Sequence, residues 1–197
     1  MTTAFVDVDS QLDFLVPSGA LYVPGAERIV PAVAALNRYA AERGIPVIST
    51  TDAHAEDDPE FAVWPPHCVV GTTGQHKAEA TLLARRVVVP NCAGDLAMEG
   101  AQQIVVEKQT VDVFQAPNLT RVVERLRADR FVVYGVVTEI CVLYAVRGLR
   151  ALGKGVVVVT EAIETLRAED SRRALDEMCG GGASLTAVSD VMNLTQA

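Results

Sequence analysis

Basic residues are in short supply. Lys and Arg number 17 against 25 Asp and Glu, which leaves a formal net charge of −8. No basic run occurs anywhere in the chain. A nucleic-acid binder needs a positive footprint, so nucleic acid is excluded as an expected partner. An anionic membrane surface is excluded on the same ground. Long apolar runs are missing too, and nothing approaches the ~20 residues of a membrane span. The opening MTTAFVDVDSQLDF has neither a basic segment nor an apolar core, so it does not read as a secretory signal. Cysteine is sparse and scattered. Cys68, Cys92, Cys141 and Cys179 form no CxxC pair, which makes a poor disulfide framework and a poor structural zinc site. A cytoplasmic protein is the expectation. Histidine is the scarcest chemical group, with only His54, His67 and His76.

Apolar residues are abundant. Half of the 197 residues are hydrophobic. A chain of this length fits one domain, residues 1–197, and buries roughly 70% of its unfolded surface. Short β-rich runs alternate with helical patterns. The runs are Ala4–Val8, Pro46–Thr51, Arg86–Val89, Ile104–Glu107, Arg130–Val136, Gly155–Thr160 and Ser184–Val188. Helical patterns cover Ala26–Arg43, Asn118–Ala128, Ile140–Leu152 and Ala168–Cys179. Nearly unbroken Val/Ile runs indicate strands buried on both faces. The expected fold class is α/β, a three-layer α/β/α sandwich around a mainly parallel sheet. The Pro/Gly-rich stretch from Pro59 to Gly74 reads as one long loop.

Ligands of open α/β sheets gather beyond the carboxyl ends of the strands. Asp9 and Asp13 follow the first run, Asp52 and His54 the second, Lys108 the Ile104 run, and Cys141 the Arg130 run. Reactive groups therefore converge on one edge. Cys141 stands where a strand gives way to a helix, and unpaired N–H groups there favour a thiolate and a developing oxyanion. Alone, this position fits a buried inert cysteine equally well. Asp13 is a candidate base for the thiol, and Lys108 a candidate cation to lower its pKa. Singly, they would be a turn carboxylate and a strand-end lysine. Asp52 and His54 project to the same side if the strand continues, and His67 lies in a chain stiffened by two prolines. One carboxylate and two imidazoles suit Zn²⁺, with Mn²⁺ or Fe²⁺ as alternatives. Glu60 lies between them and is a candidate fourth ligand. DxH alone is a weak signal.

Five segments occur in order: D-S-Q-L-D-F, D-A-H, W-P-P-H-C-V-V-G-T-T-G, E-K and G-V-V-T-E-I-C-V. Together they resemble the isochorismatase-like cysteine hydrolases, most of all the nicotinamidase branch. The resemblance implies Asp13 as the catalytic aspartate, Lys108 as the catalytic lysine and Cys141 as the nucleophile. It implies Asp52, His54 and His67 as metal ligands, and Glu60 as an extra ligand found in some relatives. It further implies a cis peptide at Val136–Val137, with the N–H groups of Val137 and Cys141 forming the oxyanion hole. Phe14 and Trp64 match pocket-lining aromatics. The implied activity is hydrolysis of nicotinamide to nicotinic acid and ammonia in NAD salvage, with a small amide as substrate and a homo-oligomer as the working form. The rivals are a carbamoyl-sarcosine-type amidase, which generally lacks the metal triad, a vinyl-ether hydrolase, which does not use the cysteine, and a non-catalytic binding protein.

Overall fold

The computed structural model describes residues 2–194. The Val/Ile runs become seven strands, because β-branched side chains suit a pleat buried on both faces. They are β1 (Thr3–Val8), β2 (Val47–Asp52), β3 (Arg86–Val89), β4 (Gln103–Lys108), β5 (Arg130–Gly135), β6 (Gly155–Ile163) and β7 (Ser184–Thr186). They form one sheet of order β3-β4-β2-β1-β5-β6-β7, and every pairing is parallel. Central β1 and β2 are buried almost end to end, while β3 and β7 form the exposed edges.

The helices are α1 (Leu12–Leu15), α2 (Val30–Glu42), α3 (Leu119–Leu126), α4 (Leu143–Ala151), α5 (Ala168–Gly180) and α6 (Val188–Leu194). On one face of the sheet Val6, Val8, Ile48 and Val133 pack with Val122, Val146 and Met178 of α3, α4 and α5. On the other, Phe5, Val47 and Val132 pack with Val33, Leu36 and Ala40 of α2 and Val191 of α6. This is the expected three-layer α/β architecture. Two helices were not expected, α1 and α6. Both are too short to show a helical period in sequence. The helix expected from Ile140 begins at Leu143 and is preceded by a π-helical turn, Thr138–Val142.

Moving along the chain, β2 lies to one side of β1 and β5 to the other. The connections therefore diverge between β1 and β5 and open a crevice at their carboxyl ends. Beneath it, on the α2 side, Asp7 is fully buried and accepts from Ser10 Oγ at 2.7 Å and Asn37 Nδ2 at 3.1 Å. Lys77 Nζ pairs with Asp7 Oδ2 at 3.4 Å. This network ties β1 to α2 and to the loop around Lys77.

The crevice depends on a close approach at Gly135. Its φ is +121°, and a Cβ there would lie 2.0 Å from Val8 O. Gly135→Ala is expected to lower stability by about 2 kcal/mol or more, which is a drop in Tm of about 5 °C for a chain of this size. An unchanged melting curve would show that β1 and β5 can separate freely at this end.

Candidate active site

The strands deliver charged groups to the same level of the crevice. Asp52 and Lys108 are the last residues of β2 and β4, and they are register partners. Asp9 is the first residue beyond β1. All three are buried. Lys108 Nζ forms a very short contact with Asp52 Oδ1. It lies 2.9 Å from Asp9 Oδ2, close enough for an ion pair though too poorly aligned for a hydrogen bond. On its remaining side Cys141 Sγ is 3.7 Å away. Burial acts to lower the Lys108 pKa, but Asp52 and Asp9 outweigh it and hold the ammonium well above its ordinary range. Burial raises the Asp52 carboxyl, with Lys108 pulling the other way.

Burial also drives the Cys141 thiol well above its ordinary range, against the opposing pull of Lys108. Lys108 thus pulls the thiol pKa down, as expected of its charge, but burial outweighs it. A base is required, and Asp9 is the candidate: its Oδ2 lies 2.9 Å from the same Lys108 Nζ that is 3.7 Å from Cys141 Sγ. Cys141 itself sits inside the π-helical turn that follows β5, past a cis peptide at Val136–Val137. The backbone N–H of Val137 lies just before that turn and the N–H of Cys141 within it.

Asp13 is elsewhere, and here the sequence reading is corrected. Its carboxylate, in the single turn of α1, is taken up by two backbone N–H groups. Oδ1 accepts from Ala20 N at 2.9 Å and Oδ2 from Cys68 N at 2.6 Å. A Cβ on Gly74 would lie 2.1 Å from Asp13 Oδ1. Asp13 is thus a clasp joining the 16–20 segment to the loop that carries His67.

Asp52, His54 and His67 do come together, with one potential ligand atom from each within 4.8 Å of the others. His54 Nε2 and His67 Nε2 face Asp52 at 3.9 Å and 3.8 Å, too far for hydrogen bonds. Their other nitrogens are occupied. His54 Nδ1 donates to Asp58 Oδ2 at 3.0 Å and His67 Nδ1 to Pro65 O at 2.8 Å. Burial acts to raise the Asp58 carboxyl, yet the Glu60 N–H and His54 outweigh it and keep it ionised. An ionised carboxylate and a carbonyl can only accept, so each neutral ring carries its proton on Nδ1 and turns a lone pair inward. Burial lowers the His67 pKa and favours this neutral form. His54 Nε2 is buried without a hydrogen-bond partner. An orphaned imidazole lone pair beside a carboxylate and a second lone pair fits a divalent cation, and Asp58 and Pro65 fix the rings from behind. Asp58 was not singled out in sequence. Its signal was the i,i+4 spacing from His54.

Glu60 is half-buried at the pocket wall, and its carboxyl is raised by burial and by Asp52. Phe14, Leu21, Val23, Trp64, Ile140 and Leu166 supply the pocket's apolar walls. Asp52, Glu60, His67 and Cys141 supply its polar floor. Glu139, next to the nucleophile turn, holds one wall by accepting from Leu166 N at 3.0 Å.

Exchanging the two aspartates separates their roles. Asp9→Asn is expected to cut turnover by about 10²–10⁴-fold, and also to lower Tm, because it takes one anion from the buried Lys108. Asp13→Asn cannot accept both N–H bonds and is expected to cost about 1–3 kcal/mol of stability. Activity assays and melting curves on both variants check this. The opposite pattern would restore Asp13 as the base.

The chain is 25% identical to the nicotinamidase of Escherichia coli (strain K12) over 208 residues, covering 95% of each. Among solved structures, the pyrazinamidase of Pyrococcus horikoshii in complex with zinc aligns with a TM-score of 0.79 and 27% identity, covering 95% of this chain and 99% of that one. The N-carbamoylsarcosine amidase of Thermoplasma acidophilum shares the fold at a TM-score of 0.78 and 22% identity, covering 95% and 97%. Among described residues, no helix is long and apolar enough to cross a membrane. Residues 3–190 match the isochorismatase domain model, so the chain belongs to the isochorismatase family.

Proposed function

We propose that this protein is a nicotinamidase-like amidohydrolase working through a cysteine thioester, with Asp9, Lys108 and Cys141 as the reacting set. The observation that carries the reading is the buried Lys108 Nζ placed between Asp9, Asp52 and Cys141 Sγ. Asp9 takes the thiol proton, and Lys108 keeps the resulting anions close together. The thiolate attacks the carboxamide carbon, and the N–H groups of Val137 and Cys141 receive the oxyanion. The C–N bond breaks, and ammonia leaves with the proton held on Asp9. Asp9 then deprotonates a water that cleaves the thioester, and the proton returns to the thiol.

Asp52, His54 and His67 would hold a divalent metal, zinc first, with Glu60 as a further ligand. When bound, it supplies a Lewis acid that anchors a ring nitrogen and orients the substrate. The apolar walls, Phe14 and Trp64 among them, suit a small flat ring. Among the described lining residues no Arg or Lys is available to a substrate carboxylate, which disfavours an N-carbamoyl amino acid. The protein is proposed to act as a single domain and as a homo-oligomer in NAD salvage.

Purified protein should release ammonia from nicotinamide, lose that activity on chelation and regain it with zinc. Cys141→Ala should abolish release with Tm unchanged, and His54→Ala should lower bound metal by elemental analysis. No release from metal-replete enzyme that still has a reactive Cys141 would move the substrate to another amide. Residual release above a few per cent in Cys141→Ala would end the thioester route.

A further inference from the structure

Asp9 has a φ of +47°, a left-handed conformation uncommon outside glycine, though aspartate tolerates it better than most residues. Thr50, on the neighbouring strand β2, holds it there. Asp9 N donates to Thr50 O at 3.2 Å and lies 3.2 Å from Thr50 Oγ1. In return Thr50 Oγ1 donates to Asp9 Oδ1 at 2.6 Å. A hydroxyl has one proton to give, and this one is spent on a single carboxylate oxygen. Thr50 is fully buried. Its own carbonyl is held by Lys77 Nζ at 3.3 Å, the lysine that pairs with Asp7 below the sheet.

The geometry points to Thr50 as a positioning residue for the hydrolytic reaction: its hydroxyl locks Oδ1 of Asp9 and so turns Oδ2 onto Lys108 beside Cys141. A carboxylate torsion is broad and roughly two-fold. Without the hydroxyl, Asp9 rotates and its proton-accepting oxygen leaves the thiol for part of the time. This rests on Asp9 being the general base proposed above. Thr50 itself touches neither substrate nor sulfur.

Thr50→Val keeps the shape and removes only the hydroxyl. It is expected to lower kcat about 10²-fold, the scale of a misplaced catalytic group, with KM and bound metal little changed. Thr50→Ser should recover most of the loss, since it keeps the hydroxyl. If Thr50→Val does not fold, Thr50→Ala against Thr50→Ser makes the same comparison. A second readout needs no substrate. Iodoacetamide labelling of Cys141, followed by mass spectrometry at one fixed pH, should slow in Asp9→Asn and in Thr50→Val. The double variant should label no more slowly than Asp9→Asn, because Thr50 acts through Asp9. Additive losses, wild-type labelling in Thr50→Val, or equal losses in Thr50→Ser would overturn the inference. Wild-type protein that cleaves no amide would count against the proposed function alone, and the labelling series would still decide the role of Thr50.

Discussion

A buried ammonium organises this end of the molecule. Lys108 is fully buried, and such a charge persists only if anions meet it inside. Asp9 and Asp52 do so from two different strands. This fixes more than a pair of contacts. Asp52 and Lys108 are register partners across β2 and β4, so a slip of one residue would separate the charges and turn both side chains to the wrong face. The ion pairs and the sheet register therefore specify each other. The same arrangement concentrates negative charge beside a thiol and keeps water out, which is where proton transfer between sulfur and carboxylate becomes controllable.

The sheet was legible because its signal is redundant. Long Val/Ile runs ending in ionisable residues locate both the strands and the edge that carries chemistry. Cys141, Lys108, Asp52 and His54 follow such runs, His67 lies in the proline-stiffened loop, and the structure brings the five together. Asp13 shows where such reading stops. Two aspartates four residues apart follow the same strand, and a motif does not say which one faces the crevice. The deciding feature is α1, one turn long and invisible to periodicity. The level of the sheet held a usable clue: Asp52 and Lys108 end their strands, and Asp9 is one step past the end of β1, whereas Asp13 lies beyond a change of direction.

Thr50 was missed for another reason. Its importance arises from a partner distant in sequence, Asp9, and from the backbone conformation of that partner, neither of which a linear pattern records. The pocket wall set by Glu139 is similar, since its carboxylate reaches a segment 27 residues away.

The two histidines carry a consequence for the order of assembly. Because Asp58 and the Pro65 carbonyl hold the rings from behind, each inward lone pair is aimed by the protein's own hydrogen bonds. Small zinc domains fold around their ion and fall apart without it. Here a full hydrophobic core stands on both faces of the sheet independently of any ion. The ring orientations come from the fold itself, so a cation arriving at this cluster would meet lone pairs already aimed at it.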